Sequence, residues 1–224
     1  MCARFTVFAT PQELADLFQI EIHEEISARY NIAPSQEIAT VLDGPEGRHL
    51  EWMRWGFVPF WAKEMLKSGP LINARAETIF EKPSFRTAIR RHRCLIPASG
   101  FFEWDQKGAP GAKKQPYLIR PAGEGPMALG GIWDTWTNPE GVTESTCAIV
   151  TTEADDLVAK LHDRMPVVVE PEDFGLWLDP GVETSEALMP LLAPLPSSLL
   201  VSYKVTTAMN NPRHDSAENV VAVA

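Results

Sequence analysis

Several segments of the chain carry apolar or alternating runs of the kind that form β-strands, and Pro or Gly interrupts them. They are RYNIAPSQEIATVL, HLEWMRWGFVP, RCLIPASGFFEW, QPYLIRP, MALGGIW, CAIVTT and SLLVSYKV. Strand-like runs outnumber helical ones and do not alternate regularly with them. This pattern predicts an α+β fold around a mixed or antiparallel sheet.

Other segments have the apolar spacing of short helices. These are Pro11–Phe18 after Thr10, a basic helix over Ser84–Arg91, then Ala154–Leu161, Glu172–Leu178 and Ser185–Leu192. Thr152 and Asp155 are spaced like a capping box, which places the start of the third helix at Ala154 and its end near His162.

Length and composition favour one globular domain over residues 1–224, without repeats, low-complexity tracts or a linker. No apolar run approaches the ~20 residues of a membrane span, and the N-terminus MCARFTVF lacks the pattern of a signal peptide. Three widely spaced cysteines fit neither a disulfide framework nor a CxxC zinc site. We therefore expect a soluble, unsecreted, cytoplasmic protein with free thiols, no contact with a membrane and no metal.

The net charge of −10 disfavours nucleic acid as a partner unless the basic residues are clustered. Between Arg48 and Arg120 there are 14 Lys+Arg against 6 Asp+Glu, a local charge of +8, so the rest of the chain carries −18. The densest part is Arg86, Arg90, Arg91 and Arg93, with Arg54 and Arg75 upstream. The stretch fits either a nucleic-acid-binding patch or an ordinary solvated helix face.

Cys2 is the first candidate nucleophile, because removal of Met1 would leave a thiol and a free α-amine on one residue. An α-amine has a pKa of about 7.7–8.0, so roughly a tenth of it is unprotonated at pH 7. Such an amine can attack an aldehyde, and the neighbouring sulfur can close a five-membered thiazolidine ring. A cysteine at position 2 also occurs by chance, so its meaning depends on partners.

Three compact segments supply candidate partners. LINARAET places Asn73, Arg75 and Glu77 on one side of an extended chain. In PASGFFEW, Glu103 lies between Phe102 and Trp104, an apolar setting that would raise its pKa and suit it to proton transfer. In LHDRMP, His162 follows a predicted helix end, where the helix dipole favours a protonated imidazole. Alone, each segment also fits an ordinary structural role.

Taken together and in order, these segments resemble the SOS response-associated peptidase (SRAP) family. The matching pieces are MCARF, RYNIAP, RWGFVPFW, INARAET, RCLIPASGFFEW, HDRMP and, more loosely, VTTAMNNPRHD, and they span almost the whole chain. The resemblance implies one SRAP-type domain with a barrel-like sheet and flanking helices. It also implies a protein that shields abasic (AP) sites in single-stranded DNA, including single-strand/double-strand junctions, by covalent attachment.

The resemblance further assigns roles by position. Cys2 would form the thiazolidine after loss of Met1, Asn73 would hold the nucleophile and sugar, Glu103 would be the acid/base, and His162 would protonate the sugar oxygen. The residues expected on the DNA side are Arg4, Asn31, Pro34, Trp55, Trp61, Arg75 and Arg164. Beside crosslinking, it implies AP-lyase activity and self-processing peptidase activity. It implies no cofactor, and we expect a monomer by default.

Two positions depart from the family pattern: Ala3 stands where glycine is usual, and Phe102 where tyrosine is common. A backbone with positive φ at Ala3 would be strained. Other functions remain open. One is a cysteine peptidase, another an N-terminal-nucleophile amidohydrolase using Cys2 on a non-DNA substrate, and a third a DNA-binding module without catalysis.

Overall fold

A computed structural model describes residues 2–23, 26–64, 69–105 and 114–223. Its strands are β1 (Phe5–Val7), β2 (Arg29–Ile32), β3 (Glu37–Gly44), β4 (Gly47–Trp55), β5 (Asn73–Arg75), β6 (Arg93–Ala98), β7 (Gly100–Trp104), β8 (Pro116–Pro121), β9 (Met127–Thr137), β10 (Thr143–Glu153), β11 (Arg164–Pro166), β12 (Val168–Val169) and β13 (Leu200–Lys204). Its α-helices are α1 (Pro11–Phe18), α2 (Ala88–Arg91), α3 (Phe174–Leu178) and α4 (Ser185–Leu188).

Five strands close into a barrel-like ring. Strand β10 pairs with β4, β4 with β3, β3 with β6, β6 with β9, and β9 returns to β10. The β10–β4 pair is parallel and the others are antiparallel, so the sheet is mixed. Outside the ring, β5 and β11 pair with β10, and β12 pairs with β9. With its short helices, this architecture confirms the predicted α+β class with a barrel-like core.

A second sheet has the strand order β13-β8-β7-β1-β2. The chain passes into it from the barrel at Ser99 and Gly100, between β6 and β7. Gly100 is required by close packing, because a Cβ there would lie 2.7 Å from the carbonyl oxygen of Ile119. The Ser99 hydroxyl accepts hydrogen bonds from the backbone N–H groups of Phe8 and Ala9, at 2.9 and 3.0 Å. This junction fixes β1 beside β7.

The main hydrophobic core joins the two sheets. It contains side chains from the barrel strands together with residues of β1 and β7. Phe5 of β1 meets Trp55 of β4 edge to face, with ring centroids 5.3 Å apart. Burial of such aromatic rings provides much of the stability of a core of this kind. The strand that follows Cys2 is thereby anchored to the barrel.

The predicted helix Pro11–Phe18 is confirmed with its bounds. Thr10 caps it, and Thr10 and Glu13 form a reciprocal capping box. The two helices predicted near the end appear as α3 and α4, with 3-10 turns over Pro171–Asp173 and Met189–Leu192 beside them.

Two other helix predictions need correction. The basic helix predicted over Ser84–Arg91 is α-helical only at Ala88–Arg91. The helix predicted over Ala154–Leu161 is wrong, because the region forms only a 3-10 turn at Val158–Lys160. Thr152 is not a helix cap: it lies in β10 and pairs with Met165 of β11.

Among the described residues, no helix is both long enough and apolar enough to cross a membrane.

Candidate active site

Cys2 lies just before β1 and is completely buried. Its thiol donates a weak hydrogen bond to the carbonyl of Arg4 at 3.9 Å. Its own carbonyl accepts a hydrogen bond from the Nδ2 of Asn73 at 2.8 Å. Asn73 is held in place because β5 pairs in parallel with β10, where Asn73 lies opposite Ile149. The amide of Asn73 thus fixes the backbone of the candidate nucleophile.

The Oδ1 of Asn73 is buried and has no hydrogen-bond partner among the described residues. A buried amide oxygen without a partner is costly, and such atoms often await a ligand. The side chain therefore holds Cys2 with one end and offers an acceptor with the other.

Glu103 lies on β7, next to β1, and is only 2% exposed. The neighbouring Phe102 donates its backbone N–H to the carbonyl of Arg4 at 2.9 Å, which aligns the two strands beside Cys2. Burial raises the pKa of Glu103 to about 7. This confirms the predicted effect of the apolar setting, and a carboxyl with this pKa exchanges protons readily near neutral pH.

The environment of the Cys2 thiol also favours its neutral form. Burial, with the negative charge of Glu103 as the second cause, raises the pKa of Cys2 to about 12. Glu103 is therefore close enough to act on Cys2 electrostatically. At neutral pH the sulfur is held as a thiol and not as a thiolate.

His162 follows the 3-10 turn at Val158–Lys160. The backbone N–H of Arg164 donates to its Nδ1 at 3.0 Å, although the carboxylate of Asp163 lies 2.8 Å from the same atom. The two contacts require opposite protonation of Nδ1. Burial lowers the pKa of His162, and the side chain of Asp163 is 85% exposed, so the neutral ring that accepts from Arg164 is favoured. This corrects the expectation of a dipole-stabilised imidazolium, since the element that leads into His162 is a short 3-10 turn and not an α-helix.

Arg75 and Arg164, both expected to contact DNA, lie in different environments. Arg75 ends β5 and is exposed. Arg164 is 8% exposed and forms a two-pronged ion pair with Glu77, at 2.7 and 3.0 Å. It also donates to the carbonyl of Thr151 at 2.7 Å. The hydrogen bonds from Arg164 lower the pKa of Glu77, so the Arg164–Glu77 pair is ionised and ties β11 to the segment after β5.

Arg4 and Asn31 form an internal contact. The Nη1 of Arg4 donates to the Oδ1 of Asn31 at 2.7 Å, and its guanidinium lies over the ring of Trp104 at 5.8 Å. No hydrogen bond among the described residues uses the Nη2 of Arg4. Asn31 is 1% exposed, which removes its side chain from any DNA-facing surface in this conformation.

The aromatic and proline positions also divide. Trp55 is fully buried and its indole N–H donates to the carbonyl of Ile72 at 2.9 Å. It is therefore a core residue, contrary to the expectation that it lies on the DNA side. Trp61 is 50% exposed, and Pro34 is half-buried. Phe60 is 57% exposed beside Trp61 and was not predicted, although the sequence RWGFVPFW places the two aromatic residues together.

The basic stretch does not fold into one patch among the described residues. Arg93 is buried and donates to the carbonyls of Trp177 and Asp179, while Arg90 and Arg91 both contact Glu183. Arg54 pairs with Glu144 at 2.9 Å. Arg75 and Arg86 are exposed, and three lysines of the stretch, Lys67, Lys107 and Lys113, lie outside the described residues.

The two departures from the family pattern are accommodated. Positive φ outside glycine occurs, within the described ranges, only at Gln19 and Ser35, so Ala3 is not strained. Phe102 packs in a small apolar cluster with Leu118, Val205 and Met209. The same ranges contain no group of three or more His, Cys, Asp or Glu side chains arranged to hold a metal ion.

Comparison with known proteins places this chain in a family. The sequence model of the SOS response associated peptidase (SRAP) family matches residues 1–212. Abasic site processing protein YoqW of Bacillus subtilis (strain 168) is 37% identical over 221 residues, which are 97% of this chain and 98% of that protein. Abasic site processing protein YedK of Escherichia coli (strain K12) is 30% identical over 230 residues and is covered, like this chain, over 100% of its length.

A solved structure of a protein from Bacteroides thetaiotaomicron has a TM-score of 0.86 at 25% identity, with 100% of both chains covered. Its fold agrees with the match of the sequence model along nearly the whole chain. This protein therefore belongs to the SOS response associated peptidase (SRAP) family.

Proposed function

We propose that this protein processes abasic sites in single-stranded DNA by covalent attachment through Cys2. Relatives at 30% and 37% identity that match it along nearly their whole lengths are named abasic site processing proteins. The observation that carries the proposal is the grouping of three residues. Cys2 is held by Asn73 at 2.8 Å, and its pKa responds to the buried Glu103.

The reaction begins with removal of Met1, a residue outside the described ranges, which exposes the α-amine of Cys2. Glu103 as a carboxylate accepts a proton from the α-ammonium, and the neutral amine attacks the aldehyde carbon of the ring-opened sugar. Glu103 returns that proton to the hydroxyl of the addition product, which leaves as water and gives an iminium ion. The free Oδ1 of Asn73 is the acceptor we assign to the sugar.

Ring closure consumes the iminium. The thiol proton moves to the Glu103 carboxylate as the sulfur adds to the iminium carbon, and a neutral thiazolidine results. One aldehyde, one α-ammonium and one thiol thus give one ring and one water, and Glu103 ends protonated. An iminium that persisted would permit β-elimination of the DNA strand, so AP-lyase activity would appear when the sulfur is missing.

His162 is assigned to the opening of the sugar ring. The backbone N–H of Arg164 occupies its Nδ1, so the neutral ring carries its proton on Nε2. Such a ring donates a hydrogen bond to the sugar oxygen as the ring opens.

DNA binding is assigned to exposed and half-buried groups that precede β1 or lie at or after the ends of β2, β4 and β5. Arg75 and the Nη2 of Arg4 are the phosphate contacts we propose, and Phe60, Trp61 and Pro34 provide apolar surface for unstacked bases. Such surface favours single strands and single-strand/double-strand junctions over continuous duplex. A monomer suffices for this arrangement.

The environment of Cys2 disfavours the hypothesis that this protein is a cysteine peptidase. A peptidase of this type needs a thiolate beside an imidazolium. Here burial raises the pKa of Cys2 to about 12 and lowers that of His162, so both shifts oppose such a pair. Amine-first chemistry needs only a neutral thiol. Self-processing at Met1 remains part of the proposal as the step that exposes Cys2.

The test is a denaturing-gel assay of purified protein with single-stranded DNA that carries one abasic site. We expect a stable shifted band for the wild type and no stable band for Cys2→Ala. Cys2→Ser should give a labile band with strand cleavage, and an N-terminal extension that blocks the α-amine should abolish the reaction. No adduct from protein with a confirmed free Cys2 would contradict the proposal.

A further inference from the structure

Asn31 is a buried junction of hydrogen bonds. Its Oδ1 accepts from the Nη1 of Arg4 at 2.7 Å. Its Nδ2 faces the carbonyls of Met209, Asn211 and His214 at 2.9, 3.0 and 2.9 Å, so two N–H bonds serve three acceptors. Every polar atom of the side chain is therefore engaged within the protein.

These contacts join the segment Met209–His214 to residues on both sides of the active site. Arg4 is two residues from Cys2, and its Nη1 also donates to the carbonyl of Met209 at 3.1 Å. Trp104, next to Glu103, donates its indole N–H to the Oδ1 of Asn210 at 2.6 Å. The guanidinium of Arg4 lies over the same indole ring, which closes the network.

We propose that Asn31 is a positioning residue: it clamps Met209–His214 to Arg4 and thereby fixes the Cys2 backbone for attack on the sugar aldehyde. The inference rests on the proposed function and replaces the expectation that Asn31 contacts DNA. A side chain that is 1% exposed and has all of its polar atoms in hydrogen bonds within the protein has no free donor for a phosphate. A misplacement of about 1 Å in a reacting group can cost about a hundredfold in rate, so loss of such a clamp lowers the rate of the chemical step far more than it lowers affinity.

The experiment separates binding from chemistry in Asn31→Ala. The adduct-forming rate is measured at saturating single-stranded abasic DNA. Affinity is measured with DNA that carries a tetrahydrofuran analogue, which has no aldehyde. We expect the saturating rate to fall by about tenfold to a hundredfold and the dissociation constant to rise by a much smaller factor, because Arg4 keeps its Nη2 for phosphate but loses the Asn31 contact that holds its guanidinium.

The matched control is Thr40→Val. The Thr40 hydroxyl is buried and donates to the carbonyl of Glu51 at 2.9 Å, so the variant loses a buried hydrogen bond between β3 and β4 instead. Its melting temperature should fall while its saturating rate stays close to that of the wild type. The control distinguishes general loss of stability from loss of positioning.

Weaker binding of Asn31→Ala at an unchanged saturating rate would make Asn31 a DNA contact and overturn the inference, as would no change in either quantity. If Asn31→Ala does not fold, Asn210→Ala decides: it removes the acceptor of the Trp104 indole together with an exposed hydrogen bond to the carbonyl of Lys114, and an unchanged saturating rate would overturn the inference. Wild-type protein without any adduct would instead refute the proposed function itself.

Discussion

At the scale of single residues, the chemistry of this protein is set by burial. Glu103 has the sequence neighbours of an ordinary strand residue, yet its position on β7 raises its pKa to about 7. The same burial keeps Cys2 protonated and His162 neutral. A neutral thiol, a neutral imidazole and a carboxyl that titrates near pH 7 suit chemistry in which an amine is the first nucleophile and Glu103 carries the proton.

Glu103→Gln is expected to slow adduct formation by about a hundredfold, because the proton carrier is lost. In the wild type the rate should rise with pH through about 7, as Glu103 becomes a carboxylate that accepts the ammonium proton. The variant should lose this inflection and keep only that of the α-amine. Single-turnover rates over a pH series check both points, with the exposed Glu81→Gln as control. An inflection near pH 7 that persists in Glu103→Gln would assign it to another group.

The same substitution is expected to stabilise the protein at high pH. The folded-state pKa of Glu103 is raised from 4.5 to about 7, so the folded state binds the proton more tightly than the unfolded state. Stability from this group is present below pH 4.5 and is lost as pH rises towards 7. Glu103→Gln should therefore raise the free energy of unfolding by up to about 3 kcal/mol at pH 8 and change it little at pH 4. Denaturant unfolding at both pH values measures this, and a loss of stability at pH 8 would contradict it.

At the scale of elements, local sequence signals succeed where no sheet competes with them. Thr10 with Glu13 forms the predicted capping box and begins α1. The similar pair Thr152 and Asp155 does not, because pairing of β10 with β11 holds Thr152 in a strand. Tertiary pairing of this kind cannot be read from a short window of sequence.

The site shows the same division between local and tertiary information. The rise in the pKa of Glu103 is predicted from the apolar segment around it and is confirmed, and its main cause is burial of the side chain in the folded protein. Burial of Asn31 and Trp55 and the ion pair between Arg164 and Glu77 depend on segments far apart in the chain. The positions of Asn31, Trp55 and Arg164 in their sequence motifs therefore could not predict whether each side chain makes internal contacts or contacts DNA.

Arg75 of β5 and Arg91 of α2 give a matched pair for testing the DNA-binding surface. Both arginines are exposed, but Arg91 forms an ion pair with Glu183 at 3.1 Å. We expect Arg75→Ala to reduce the salt slope of single-stranded DNA binding by roughly one unit, because one phosphate contact is lost. Arg91→Ala should leave the slope unchanged. Titrations at several salt concentrations measure both, and equal slopes for Arg75→Ala and the wild type would remove Arg75 from the interface.

At the scale of the whole molecule, the barrel and the second sheet share a core that encloses every cysteine. Cys2, Cys94 and Cys147 are free and buried. Burial raises the pKa of all three thiols. The molecule thus combines a net charge of −10 with three thiols that are shielded from general thiol chemistry.

A thiol reagent should therefore react slowly with the native protein and rapidly with the unfolded one. We expect the modification of Cys94 and Cys147 to depend on global opening, since both are 0% exposed. The number of reactive thiols is measured with a chromogenic disulfide in buffer and in denaturant. Rapid reaction of all three cysteines in buffer would contradict the burial described above.

The central claim is that one residue supplies both nucleophiles, and peptide mass measurement of the purified adduct tests it most directly. After nuclease and protease digestion, the N-terminal peptide should carry the sugar fragment on Cys2, resist iodoacetamide at its sulfur and be unchanged by borohydride. These properties require that both the α-amine and the thiol are bonded to the sugar carbon. A peptide whose Cys2 is still alkylated, or whose sugar lies on another residue, would contradict the account.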